Sequence, residues 1–422
     1  MFSTQSLFGN NARILGSRDF QILLLANLFP PLGSGLLSPI LDSLIEPFGA
    51  SPANIGLLIS VFTAPSIIMI PVFGLLADRH GRKPILVGSL ALFGVAGAAT
   101  VFTTDFRVAL SLRVCQGIAF AGITPIIITS IGDLYDTTTE ATAQGIRFTG
   151  SGLTTAIFPL LAGSLVVVGW QYPFLIYALS IPTAVAVYVW FREPTKQGDK
   201  DTESAGSENT TGAQIARLQE LVTQPRVFAY VLARGLPVAT WLGFMTYNSI
   251  VVVRFLNGTP AQAGLLIAVA SLAYAATASQ AGRLTERLEN RFRLLILANL
   301  SLGAGFCVFL FAPHLVVAVL GAGISGIGFG IVLSLYRSIL TGLAGESVRG
   351  SLVSIGEGFG RVIATTTPIA MGATIAIATP SLGIEAAVQV AGLGVALVTS
   401  LGGVLCLTVA EHAPPVQYEE AN

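Results

Sequence analysis

The chain has 422 residues, 53% of them hydrophobic and only 10% charged, with a mean hydropathy of +0.76. A soluble globular domain carries roughly 25% charged residues, so most of this surface must face something other than water. Net charge is zero, from 22 basic and 22 acidic residues, which excludes the basic footprint of a nucleic-acid partner. Cys115, Cys307 and Cys406 lie far apart inside apolar runs without metal-ligand spacing; they read as small packing residues, and no metal or cofactor is expected.

In chain order the sequence is a series of apolar runs, each near the ~20 residues that cross a bilayer as a helix. Residues 1–19 are polar, ending on Arg13, Arg18 and Asp19, and the first apolar run is too long for a signal h-region. Spans 1 to 6 are expected at about 20–42, 55–77, 84–103, 108–131, 144–168 and 173–191. Pro30-Pro31 and Gly33-x-Gly35 should kink span 1 and leave backbone carbonyls facing a partner or a cavity. Composition changes at 192–226: Lys196 to Gly212 reads as a flexible linker, and Gln214 to Val222 as a short amphipathic helix on the membrane surface. Spans 7 to 12 are expected at about 227–255, 261–283, 292–312, 315–341, 351–378 and 384–409. The expected organisation is an N-terminal segment 1–19, a bundle 20–191, a linker 192–226, a bundle 227–410 and a tail 411–422.

Between spans 2 and 3 lies Gly74-Leu75-Leu76-Ala77-Asp78-Arg79-His80-Gly81-Arg82-Lys83-Pro84. Gly74 would let a helix end approach a neighbour, Gly81 supplies a turn open to positive φ, and Pro84 is tolerated in a first helical turn. Loops on this side hold fifteen Lys and Arg, against only Arg107 and Arg254 on the other. That asymmetry places both termini in the cytoplasm and requires an even number of spans. The halves also match each other: Asp78-Arg79 with Glu286-Arg287 at an offset of 208, and Gly117-Ile118-Ala119-Phe120 with Gly326-Ile327-Gly328-Phe329 at 209. Pro159-Leu160-Leu161-Ala162-Gly163 likewise matches Pro368-Ile369-Ala370-Met371-Gly372 at 209. Six spans per half makes this a parallel repeat. Its second loop is degraded, with Glu289 and Asn290 where Gly81 and Arg82 stand.

The stretch from Gly74 to Lys83 resembles the loop 2–3 motif of the major facilitator superfamily, G-x-L-a-D-r-x-G-r-k, through Gly74, Leu76, Ala77, Asp78, Arg79, Gly81, Arg82 and Lys83. The resemblance implies an all-α integral membrane protein of 12 transmembrane helices in two six-helix bundles related by pseudo-two-fold symmetry. It implies a substrate site near the midplane lined by spans 1, 4, 7 and 10. It also implies that Gly74, Asp78, Arg79, Gly81, Arg82 and Lys83 gate the conformational change, with Asp78 at the start of span 11 in the outward-facing state. Leu112-Arg113-x-x-Gln116-Gly117 resembles the span 4 motif of proton-coupled members, whose arginine is linked to proton coupling; the alternative is an arginine snorkelling to the interface. Gly150-x-Gly152 and Pro159-x-x-x-Gly163 resemble the span 5 antiporter motif, with Phe158 and Ser164 at two of its glycine positions.

Polar and ionisable groups inside spans are costly and therefore candidates for function. Span 7 offers Arg234, Trp241, Tyr247 and Asn248; Trp241 and Asn248, seven apart, share a face suited either to a small organic ligand or to helix packing. Asn27 in span 1 and Tyr336 in span 10 are similar candidates. In span 11, Glu357 and Arg361 stand i,i+4 with the acid first, so either an intrahelical ion pair or a titrating Glu357 is expected. Asp42 reads as an exposed cap. His80, His314 and His412 fall in loops or the tail, and neither a catalytic cluster nor a P-loop is present, so neither an enzyme nor an ATP-driven pump is expected. The expected function is a secondary active transporter moving a small organic solute by alternating access, proton-coupled and exporting, monomeric, in the plasma membrane. The alternatives are facilitated uptake of a sugar or metabolite, or a non-transporting sensor on the same fold. The sugar-porter pattern after span 6 is absent; Arg192-Glu193-Pro194-Thr195-Lys196 stands there instead.

Overall fold

The computed structural model describes residues 14–135, 137–193, 218–288, 290–344 and 346–414, and among these the chain is helical without a strand. Ten helices among the described residues are long and apolar enough to cross a membrane. Spans 2 to 6 are Leu57–His80, Arg82–Phe102, Phe106–Leu134, Thr137–Leu165 and Tyr172–Trp190. Spans 7 to 10 are Pro225–Ile250, Pro260–Leu288, Arg291–Leu310 and Leu315–Gly342, and the tenth helix, Glu346–His412, holds spans 11 and 12. Span 1 escapes the length criterion because it is broken, and adding it gives twelve. Large apolar side chains such as Ile68, Val168 and Ile377 point outward, as lipid contact requires.

Two regions depart from the expected spans. Span 1 is not one kinked helix but Arg18–Ala26, Leu32–Gly35, a 3-10 turn Ser38–Ile40 and Leu41–Ile45. Pro30, Pro31 and Pro39 lack the N–H that would continue the ladder, so the helix restarts after each interruption. Spans 11 and 12 lose their expected loop: Gly383 alone is non-helical between them, at φ 79° and ψ 166°. The chain reverses there. Span 11 runs alongside span 7, with Gly356 near Arg234 and Met371 near Gly243, whereas Thr399 and Gly402 of span 12 return to Leu236.

The chain forms two compact units, residues 1–197 with 248–268, and 198–247 with 269–422. The internal repeat survives in their packing. A Cβ at Gly117 would collide with the Phe62 carbonyl oxygen of span 2, and one at Gly326 with the Ala270 carbonyl of span 8. The glycines are 209 apart and their partners 208. Small residues let these helix backbones touch where lipid supplies no hydrophobic force to drive them together. Residues 218–223 are helical, but their apolar face is not laid on the membrane surface. Leu218, Leu221 and Val222 pack on Val227, Val231, Leu340 and Leu352, closing one end of the second unit's core. Lys196 to Gly212, and Gln214 to Arg217, lie outside the described residues.

Candidate substrate and coupling sites

The motif loop is a sharp turn built on Gly81, whose φ of 89° suits glycine and whose Cβ would lie 2.7 Å from the Glu193 carboxylate. That carboxylate accepts the Arg82 backbone N–H at the start of span 3, where an anion also meets the helix dipole. The Arg82 guanidinium pairs with Asp133 at the end of span 4, and Lys83 Nζ stands 5.8 Å over the Tyr188 ring. Asp78 and Arg79 are exposed, and Asp78 bonds to no described residue. The close approach expected at Gly74 is not found: no described atom lies within 4 Å of where its Cβ would be. Glu193 and Asp133 were not legible as partners because they come from sequence-distant helix ends.

Arg113 is fully buried and does not snorkel. Its Nε donates to the Leu58 carbonyl at 3.0 Å, its Nη1 to Gln116 Oε1 at 2.8 Å and to Tyr177 Oη at 3.5 Å, and its Nη2 to the Gly33 carbonyl. The guanidinium lies 4.4 Å from the centre of the Phe62 ring. Tyr177 Oη in turn donates to Leu32 O at 3.1 Å, and Gln116 Nε2 to Phe93 O at 3.2 Å. Spans 4 and 6 thus each donate to a carbonyl of the broken span 1, Arg113 to Gly33 and Tyr177 to Leu32. Among the described residues no carboxylate pairs with this charge. Asn27 belongs to a second buried set: Nδ2 donates to Arg147 O (3.0 Å) and Ser151 Oγ (2.8 Å), while Oδ1 accepts from Arg147 Nη1 (3.3 Å). Arg147 was passed over in the sequence; Gln144 three residues earlier, which accepts its Nε–H at 2.8 Å, was the available signal.

In the second unit Glu357 takes a cross-helix partner. Arg234 Nη2 donates to Glu357 Oε1 at 2.7 Å, with Arg234 lying along the glycine stripe of Gly356 and Gly360. Arg361, the i,i+4 partner expected for Glu357, lies within electrostatic range of it, and Arg234 adds a contact from another helix. Trp241 stacks on Phe329 (4.7 Å between centroids, 6° between planes), and Tyr274 meets both at 6.0 and 5.4 Å. Tyr336 is buried and accepts Asn299 Nδ2 at 3.1 Å, a packing contact of spans 9 and 10.

Asn248 is fully buried. It belongs to the first unit, and its Nδ2 donates to Ala263 O at 2.8 Å. Residues 248–268 meet spans 1 and 5 at the end away from the motif loop. A π-helical turn, Val251–Phe255, carries Arg254 to an ion pair with Asp42, so Asp42 is a partnered group rather than an exposed cap. The Asp42 N–H donates to Ser249 Oγ at 3.1 Å. Beside this pair, spans 5 and 8 make a reciprocal backbone contact. A Cβ at Gly264 would lie 2.5 Å from Pro159 O and 3.0 Å from Leu160 Cα; one at Gly163 would overlap Pro260 O and lie 2.8 Å from Ala261 Cα.

The profile described as Major Facilitator Superfamily matches residues 23–256 and 236–421. The chain belongs to the major facilitator superfamily. Its relatives include the bacillibactin exporter of Bacillus subtilis (strain 168), 33% identical over 34% of this chain and 37% of that protein. The class B tetracycline resistance protein of Escherichia coli is 28% identical over 53% of this chain and 57% of its own length. These matches span roughly a third to a little over half of those proteins. In fold, the chain resembles a bacterial homologue of the human lysosomal transporter Spinster, with a TM-score of 0.79, 16% identity and coverage of 95% and 98% of the two chains. Family and fold are those of transporters, not enzymes.

Proposed function

We propose that this chain is a secondary active transporter of the cell membrane that exports a small organic solute in exchange for protons, working as a monomer with both termini in the cytoplasm. The observation that carries the reading is the Arg234–Glu357 ion pair set inside spans 7 and 11. Desolvating the Arg234 guanidinium costs several kcal/mol, and a bundle that only had to fold would do as well with an apolar residue there. The buried arginines 113 and 147 add weight to the same argument. The basic residues of the motif loop support the orientation, and the bacillibactin exporter among the relatives supports the direction.

Alternating access needs contacts that hold one state and part in another. The Asp42–Arg254 pair and the reciprocal contact of spans 5 and 8 are suited to that role at one end, and the loop from Gly74 to Lys83 at the other. The test is reconstitution into liposomes loaded with a pH-sensitive dye, with an imposed proton gradient and a panel of compounds. The expected result is proton movement triggered by one compound and strongly reduced in Glu357→Gln. Solute flux without any proton signal would replace the reading with facilitated transport. Silence across the panel from folded protein would overturn it.

A further inference from the structure

We propose that the second unit holds a binding site for an aromatic organic anion, with Arg234 and Arg361 facing the anionic group and Trp241, Phe329 and Tyr274 forming the wall for the ring. The inference rests on the transport reading for its purpose, but not for its geometry.

The charges come first. Glu357 faces Arg234 across the helix interface at 2.7 Å and Arg361 one turn along its own helix. Tyr274 lies within electrostatic range of Arg234, Glu357 and Arg337. One carboxylate, Glu357, therefore stands with two guanidinium groups, Arg234 and Arg361, and this set carries net positive charge. The Glu357 side chain is 41% exposed although it lies within a span, while its partner Arg234 is 5% exposed. A carboxylate edge turned to lipid is expensive, so that edge faces a path that admits water and solutes.

The ring wall adjoins the charges. Tyr274 belongs to both sets: its ring contacts Trp241 and Phe329, and its hydroxyl region senses Arg234 and Glu357. Trp241 is seven residues from Arg234, about 10 Å along the helix axis, so a ring at the wall and an anion at the arginines belong to one elongated solute. Trp241 and Tyr274 are only half-buried, and ring faces of this kind add stacking energy to area burial. An aromatic wall also attracts cations. Here a cation would meet Arg234 and Arg361, and the acid of the set is already engaged by Arg234, so the charge set selects against it.

Equilibrium binding in detergent reads this without any gradient, using Trp241 fluorescence in the full chain with Trp170→Phe and Trp190→Phe. The probes are 3-phenylpropionate, its neutral amide, and a 3-phenylpropyl trimethylammonium cation. Saturable quenching by the carboxylate is expected, with the amide at least tenfold weaker and the cation weaker still. Arg234→Gln should weaken carboxylate binding at least tenfold. Glu357→Gln, which removes the carboxylate that competes for Arg234, should tighten it several-fold; a merely structural ion pair would give no tightening. An unaltered melting temperature certifies each variant, and Arg361→Gln repeats the test if Arg234→Gln misfolds. No quenching by the carboxylate, or tighter binding of the cation, would overturn the site. Binding without flux in liposomes would uphold the site and defeat the transport reading; coupled flux of other compounds without this binding would do the reverse.

Discussion

Gly264→Ala adds a single methyl group at the contact of spans 5 and 8. That Cβ would lie 2.5 Å from the Pro159 oxygen and 3.0 Å from Leu160 Cα, roughly 0.5–1 Å inside comfortable van der Waals separation. Both obstacles are backbone, so no side chain can rotate away and the helices must separate. Overpacking of this kind costs about 1–3 kcal/mol, equivalent to about 5- to 150-fold in an equilibrium between contact and no contact. Gly163→Ala strikes the Pro260 carbonyl and Ala261 from the other side, and one separation relieves both overlaps. The double variant should therefore cost clearly less than the sum of the singles. Ser249, fully buried beside Asp42, reports the opening. In a chain with Cys115, Cys307 and Cys406 replaced by Ser, the variant Ser249→Cys should react with a membrane-impermeant maleimide about 5- to 150-fold faster once either alanine is present. Unchanged labelling in both alanine variants, with normal expression and melting, would refute the claim that this contact keeps the two helices together.

Other perturbations test other links. Arg113→Met strands the Gly33 carbonyl and the Gln116 amide oxygen and should lower stability by about 3 kcal/mol, read as detergent melting; Arg113→Lys should rescue little, because a point charge cannot reach spans 1, 2 and 6 together. Gly81→Ala should cost about 1–3 kcal/mol through its positive φ, and Glu193→Ala should recover only the part due to the carboxylate clash; full recovery would mean that the backbone angle is unstrained. Asp78→Asn should leave melting within about 0.5 kcal/mol of the parent, since Asp78 bonds to no described residue, while transport falls; normal transport would remove Asp78 from the gate. Asp42→Asn and Arg254→Gln should each speed labelling at Ser249→Cys, with coupling of about 0.5–1 kcal/mol in the double variant; strict additivity would show that the pair does not act as a unit.

What could be read from the sequence was whatever has a local or periodic cause. Apolar run lengths gave the spans, Gly81 announced its turn, and the 208–209 offset foretold the matched contacts of Gly117 and Gly326. What could not be read depends on partners brought by folding. Pro30-Pro31 signalled an interruption in span 1, but not that Arg113 and Tyr177 would donate to the carbonyls of Gly33 and Leu32 beside it. The i,i+4 rule proposed Arg361 for Glu357, but no local rule announces that Arg234 reaches the same carboxylate from span 7. No periodicity marks the π turn that delivers Arg254 to Asp42, since one extra residue in a helical turn has no compositional trace.

The turn at Gly383 bears on how the protein is made. Span 12 contains no lysine or arginine, so it carries no topological signal of its own, whereas span 11 is preceded by Arg349. With a single non-helical residue between them, the two must enter the bilayer as one hairpin whose direction is set by its leading limb. That joint leaves no room for an epitope tag, a protease site or a glycan, and a nascent chain cut short before span 12 would strand the face of span 9 that Ser400 and Gly403 cover.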